Sequence, residues 1–173
     1  NFIDYTFSKY NSEFNDLLLL SNCKYYIGSD SGISNIPRIF GKKSYFCNFP
    51  INQVHRLTFF HKGLFLPKSI ISIDNSEPIS LRRLFKRGLY KLEVEKEFLK
   101  NNTKFLENTE EELLSFSNEI LILDHIKFHK ETNEQKEFNL MLKSLCKQYG
   151  IQLGNILPII SKNFIEKNIY LLE

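Results

Sequence analysis

Apolar and polar positions along this chain repeat with two periods, about 3.6 and 2 residues, and the switch between them divides it into elements. Ser12 precedes Glu13 and Asp16, and the apolar run Leu17 to Leu20 follows. This predicts a helix from about Glu13 to Asn22, capped by Ser12, with both acids near its positive end. Cys23 to Ile27 is a short β-prone segment bounded by Gly28, read as a strand buried in a parallel sheet. Ile33, Ile36, Ile39 and Phe40 then fall at helical spacing up to Gly41, which stops the segment as a C-cap does. Ser44 to Phe49 is a second β-prone run. Helix, strand, tight loop, helix and strand in this order describe a βαβ unit in a parallel sheet, with the right-handed crossover such units adopt.

Between Pro50 and Pro78 the pattern weakens into the Phe-rich "LTFFHKGLFLPK" and the polar "SIDNSEP", which predicts mostly loop with one short strand. After Ser80, Leu81, Leu84, Phe85 and Leu89 share one helical face, and Arg82, Arg83, Lys86 and Arg87 lie on the remainder, read as a solvated surface. Thr109 with Glu112 is a capping box opening a helix to about Leu123. A second long helix, roughly Thr132 to Gln148, aligns Phe138, Leu142, Leu145 and Tyr149 and ends at Gly150. The tail "LPIISKNFIEKNIYLLE" reads as a short apolar segment and then a helix capped by Ser161. With no repeat and no linker, residues 1–173 are predicted to form one α/β domain, a parallel sheet flanked by helices.

Composition narrows the classes. The 173 residues are 42% hydrophobic, enough for a core of their own. Apolar runs such as Leu17 to Leu20 fall far short of the roughly 18 residues of a membrane span. The net charge of +3 comes from 23 basic residues interspersed with 20 acidic ones, so no nucleic-acid-binding arm is indicated. Cys23, Cys47 and Cys146 lack the spacing of a disulfide framework or zinc site, which suggests reduced thiols and a cytoplasmic setting. The first residue is Asn1 rather than Met, and the expectation is a fragment of something longer.

Candidate chemistry concentrates in "IGSDSGIS", Ile27 to Ser34. In a parallel α/β sheet, ligands bind beyond the carboxyl ends of the strands, where this loop sits. The first amides of a helix lack intrahelical partners and carry the positive end of its dipole, which suits an anion. Gly32 would let a phosphate approach the backbone, and Ser29, Ser31 and Ser34 could donate hydroxyl hydrogen bonds to it. Asp30 would repel a phosphate, so it is expected to cap the helix or hold the loop through backbone N–H groups. The purely structural alternative is that Asp30 and Ser31 cap a helix while Gly28 and Gly32 turn the chain.

The stretch "DYTFSKYNSEFNDLLLLSNCKYYIGSDSGISNIPRIFGKKSYFCNFPI" resembles the C-terminal portion of a bacterial family of glycosyltransferases found in surface-polysaccharide gene clusters. That family shows a Tyr-rich lead-in, an Asp-containing helix, "CKFFIG", a Ser/Gly loop and an "N-x-P" segment in the same order. "LFLPK", "EPISLRRLF", "NTEEEL" and "SKNFIEKNIYLL" look like its later landmarks. More distantly, "SNCKYYIGSDSGISNIPRIFGKK" is similar to the donor-phosphate loop of the lipopolysaccharide heptosyltransferases, two-domain GT-B enzymes. The resemblance implies that residues 1–173 form a single Rossmann-like domain, the C-terminal, donor-binding half of a GT-B fold, with Ser29, Asp30, Ser31, Gly32 and Ile33 as the pyrophosphate turn. Asn48 and Pro50 would line the cleft, and Lys68 would balance phosphate charge. It further implies a nucleotide-diphosphate sugar as donor substrate, no other cofactor and no metal. A surface glycan would be the acceptor, an N-terminal domain of the same enzyme the partner, and peripheral membrane association is allowed. The heptosyltransferase pattern has a His soon after its glycine where this chain has Asn35. The catalytic base is not assigned, since GT-B enzymes usually draw it from the N-terminal domain.

Other residues invite a reading. His125 and His129 stand at i, i+4 beside Asp124, a spacing that could seat a metal on a helix, although no third ligand accompanies them. Asp16 complements the helix dipole or faces the cleft. His55 and His61 flank the Phe-rich stretch as exposed loop residues or acceptor contacts. Two rival functions remain: a sugar-nucleotide epimerase of the UDP-N-acetylglucosamine 2-epimerase type, whose "DSGG" loop is similar, and a non-catalytic α/β module binding an anion or a protein. In the epimerases a second Gly and then acidic residues follow, whereas here Ile33, Ser34 and Asn35 follow Gly32, which favours the transferase.

Overall fold

A computed structural model describes residues 3–58, 63–125 and 130–173. The Ser12 hydroxyl accepts from the Asn15 N–H at 3.2 Å and starts α1 (Glu13–Asn22), as its sequence predicts. β1 (Tyr25–Gly28) follows, then a 3-10 turn (Gly32–Ser34) continuous with α2 (Asn35–Ile39), then β2 (Lys43–Pro50). β1 and β2 pair in parallel, Tyr25 opposite Lys43 through Gly28 opposite Phe46. Gly41, at φ +68°, closes the turn after α2 in the left-handed region that glycine adopts without strain.

The segment predicted to be mostly loop is instead the centre of the sheet. A 3-10 turn (Ile51–Gln53) and α3 (Val54–Leu57) lead to the nine-residue β3 (Leu64–Ser72). β3 runs parallel to β2 on one side. On its other side it meets β5 (Ile159–Ile160), in parallel, along its first residues, and β4 (Thr103–Leu106), antiparallel, along its last.

A proline within a central strand is unusual, because it cannot donate to a ladder. The topology removes the conflict. The carbonyls of Gly63 and Phe65 accept from Ile159 and Ser161, so by the two-residue period Pro67 turns its backbone to the same side. There β5 has ended and β4, whose last pair is Leu106 with Ser69, does not reach. The Pro67 carbonyl is met by the Asn108 side-chain amide at 2.8 Å.

Helices flank this sheet. Ser80 caps α4 (Leu81–Lys86), which buries Leu81, Leu84 and Phe85 and exposes Arg82, Arg83, Lys86 and Arg87. α5 (Glu95–Lys100) leads into β4. α6 (Glu110–His125) opens on the predicted box, with the Glu112 carboxylate accepting from Thr109 N–H at 2.9 Å and the Thr109 hydroxyl accepting from Glu112 N–H at 3.2 Å. α7 (Asn133–Gln148) repeats the device with Thr132 and Gln135 and buries Phe138, Leu142 and Leu145. Ser161 caps α8 (Lys162–Lys167), and the buried Glu119 carboxylate accepts from the Ser161 hydroxyl at 2.7 Å and the Lys162 N–H at 2.9 Å. The core runs through Phe46, Phe49, Phe65 and Phe138, successive ring centroids 6.0 to 6.2 Å apart.

The amino-terminal edge departs from expectation. β1 is the edge strand and only half-buried, with Ile27 exposed, rather than a buried strand of the sheet interior. α1 buries no residue. In the next helical segment Ile33, Ile39 and Phe40 are exposed, and Ser34 and Pro37 are the buried residues. No strand extends the sheet beyond β1 among the described residues, so this apolar stripe has no second layer to pack on. Among the described residues no helix is long and apolar enough to cross a membrane, and Cys23, Cys47 and Cys146 are free thiols.

Candidate functional site

β1, β2, β3 and β5 run in one direction, so their carboxyl ends share one edge of the sheet. Ser29 to Ser31 leave β1 at that edge, and Ser29, Asp30, Ser31, Gly32 and Ile33 are exposed. Ser31 stands before the 3-10 turn in an extended conformation, φ −150° and ψ 165°, with no side-chain capping bond. Its hydroxyl and the first amides of the turn are therefore not spent on each other. Gly32 faces open space: a Cβ placed there would meet no atom within 4 Å. Close approach of a ligand to this backbone is sterically possible.

Two of the candidate residues are placed differently from expectation. Ser34 is fully buried, and its hydroxyl donates to the Ser31 carbonyl at 2.7 Å, so it closes the turn instead of facing an anion. Asp30 does not cap the turn: the residue at the capping position is Ser31, and no side chain caps it. Asn35, at the place of the heptosyltransferase histidine, is used locally: its side-chain amide donates to the Gly32 carbonyl at 3.1 Å and its oxygen accepts from Arg38.

Further along the same edge lie Asn48, Pro50 and Lys68. β2 carries one extra residue against β3, since Phe46 pairs with Phe65 but Phe49 pairs with Pro67, and Asn48 sits within this bulge at φ +50°. Asparagine tolerates that left-handed backbone better than most side chains. Asn48 and Asn108 bind reciprocally: Asn48 N–H donates to Asn108 Oδ1 at 2.8 Å, and Asn108 N–H donates to Asn48 Oδ1 at 2.7 Å. Asn48 is thus a structural clamp at the edge. Pro50 ends β2 and lies opposite Lys68 on β3. Lys68 Nζ is 2.9 Å from Glu107 and 4.7 Å from the Phe105 ring centroid, so its charge already has a partner.

Three residues outside the predicted set shape this edge. Asn108 joins β2, β3 and the start of α6, and its position just before a complete capping box hid it in the sequence. Tyr26, two residues before Gly28, lies over that glycine, and burial raises its pKa above the usual phenol value. Asn52 is 1% exposed and donates to the carbonyls of Leu89 and Leu92 at 3.2 and 2.9 Å, anchoring the turn that follows β2.

His55, expected in an exposed loop, lies on α3 with its Nδ1 buried and unpartnered. Desolvation, then the Arg56 charge, lowers its pKa, so the ring stays neutral near pH 7. Asp16 lies in the first turn of α1, its bland expected place, near the Tyr5 hydroxyl. His61 and His129 lie outside the described residues, and so do the side chains of Asp124 and His125. No group of three His, Cys, Asp or Glu side chains is placed to hold a metal ion among the described residues.

Comparison of the chain with models of known protein families, with curated proteins and with solved structures finds no match. What fold and edge define is therefore a class. It is a mixed α/β protein, Rossmann-like, with a mainly parallel sheet flanked by helices and an exposed Ser/Gly loop at the carboxyl edge.

Proposed function

We propose that this chain is the donor-nucleotide half of a metal-independent GT-B glycosyltransferase, which moves a sugar from a nucleotide diphosphate to a surface glycan acceptor. The observation that carries the reading is the Ser29–Gly32 loop, exposed at the carboxyl edge beside a Gly32 that leaves its backbone accessible. Exposed seryl hydroxyls and the first amides of the turn would donate to the departing diphosphate, where charge develops in transfer. An N-terminal domain of the same enzyme would supply the acceptor contacts and the base. A non-catalytic anion- or protein-binding module is the second reading, and the ion pair between Lys68 and Glu107 favours it, because it withdraws a cation from the edge.

Calorimetry with UDP, GDP, ADP and CMP, paired with Gly32→Val, separates the two. Gly32 does not have a left-handed backbone and its surroundings are open, so the variant is expected to fold. The expected result is a preference for one nucleotide in the wild type and its loss in folded Gly32→Val. Binding retained by the variant would remove the site assignment, and binding of none of the four would favour the module.

A further inference from the structure

The charge of this chain is unevenly distributed. Residues 81–104 hold eight Lys and Arg against three Glu, a net +5 where the whole chain carries +3, which leaves −2 for the rest. On α4, Arg82 and Lys86 stand at i, i+4, and so do Arg83 and Arg87 just past its end. At 3.6 residues per turn the four fall within an arc of about 140°, opposite the buried Leu81, Leu84 and Phe85. All four are exposed, and no carboxylate pairs with any of them among the described residues.

The fold enlarges this face. The Arg87 guanidinium donates to the Asn101 carbonyl, which ties the end of α4 to the end of α5, where Lys100 is exposed. The acids of the stretch lie elsewhere. Glu93 pairs with Arg56, Glu95 lies in the first turn of α5, and the Glu97 carboxylate accepts from the Glu93 N–H at 3.2 Å at that same amino-terminal end. Asp74, at the border, accepts from the Asn102 side-chain amide. Cations in the last turn of a helix complement its dipole, but Arg82 sits in the first turn of α4, where the dipole disfavours it. Dipole compensation therefore does not account for the set.

The apolar neighbours indicate what the face suits. Leu99, beside Lys100, is 50% exposed and Val94 is 56% exposed, side chains of the kind that enter a headgroup layer. Exposed aromatic rings, on which nucleic-acid bases would stack, are missing from residues 81–104: Phe85 and Phe98 are buried, and Tyr90 stacks on Phe85 with ring centroids 5.0 Å apart. We propose that α4 and the end of α5 dock on an anionic lipid bilayer, with Arg82, Arg83, Lys86, Arg87 and Lys100 meeting the headgroups and Leu99 entering between them. This surface is separate from the Ser29–Gly32 loop and does not rest on the function proposed above.

The test is sedimentation of the full chain with vesicles of phosphatidylcholine, alone or mixed with an equal part of phosphatidylglycerol. The wild type is expected on the anionic vesicles only and is expected to leave them at high salt. Each Lys or Arg close to an anionic surface strengthens partitioning about fivefold, so Arg82→Gln, Arg83→Gln and Lys86→Gln combined should weaken it roughly a hundredfold. The charge-matched control, Lys9→Gln, Lys130→Gln and Lys136→Gln combined, removes exposed cations outside residues 81–104 and should leave it within about twofold. The chain has no tryptophan, so Leu99→Trp supplies a single reporter. Its emission should shift to the blue on anionic vesicles, whereas that of Leu140→Trp, at a position 66% exposed on α7, should not. Equal binding to both vesicle types, equal losses in the two triple variants, or an unshifted Leu99→Trp would overturn the proposal, and the tryptophan readout decides if the first triple variant does not fold. Preference for single-stranded RNA over the anionic vesicles would overturn it in favour of a nucleic-acid surface.

Discussion

Replacing Asn108 by alanine removes a side chain that ties the β2 bulge, β3 and the start of α6 together. Two well-formed bonds go with it, from Asn48 N–H at 2.8 Å and to the Pro67 carbonyl at 2.8 Å. The Asn108 backbone N–H survives the substitution and still has Asn48 Oδ1 to donate to. Each lost bond contributes about 1 kcal/mol net, and each partner left unsatisfied in a half-buried place adds to the cost, so Asn108→Ala should lose about 2–3 kcal/mol. Asn48 provides an internal control. Asn48→Ala loses the acceptor for Asn108 N–H and also forces alanine into φ +50°, whereas Asn48→Gly loses the acceptor but adopts that backbone freely. Glycine should therefore be the milder replacement, by about 1 kcal/mol. Urea denaturation followed by circular dichroism, with matched m-values, measures all three. Asn108→Ala within about 0.5 kcal/mol of wild type, or Asn48→Ala no worse than Asn48→Gly, would refute the clamp.

Burial predicts a contrast between helices: Leu142→Ala, in the fully buried stripe of α7, should cost about 2–5 kcal/mol, and Leu18→Ser, on an α1 that buries nothing, within about 0.5 kcal/mol. Equal losses in urea titrations would show that α1 is packed in solution. The His55 pKa is lowered on folding, so the unfolded chain binds the proton first; stability should be constant above the ordinary value of 6.5 and decline as pH falls below it. Stability measured against pH should lose this part of its slope in His55→Asn, and an unchanged slope would show that the ring is solvated.

Elements set by local chemistry were legible, and those set by distant partners were not. Ser12, Thr109, Thr132 and Ser161 cap their helices within three or four residues of sequence, so the starts of α1, α6, α7 and α8 follow from the chain alone. β3 could not be read this way. Its proline is acceptable only because β5 stops and β4 starts on either side of it, and those strands lie far away in the chain. The α2 stripe failed for the opposite reason. Its spacing is helical, but whether an apolar face is buried depends on a neighbouring layer, and β1 turned out to be an edge.

The candidate site divides along the same line. Spacing alone put the loop at the end of a strand and gave Gly32 its open backbone, since a Gly/Ser turn between strand and helix leaves little choice. It could not allot the hydroxyls. Ser31 and Ser34 are the same residue type three positions apart, yet Ser34 folds back on the Ser31 carbonyl while Ser31 carries no capping bond and remains exposed. A serine near a helix start can bond its own backbone or a ligand at similar cost, and only the packing beneath decides. Ser34 is fully buried, so water cannot compete for its hydroxyl, and the internal bond follows. Ser31 is exposed and makes no capping bond, so its hydroxyl stays open to water or a ligand at the edge. Gly28 escapes the sequence pattern for a related reason: a Cβ there would collide with the Tyr26 hydroxyl, so this glycine answers to a side chain two residues earlier rather than to a turn of its own backbone.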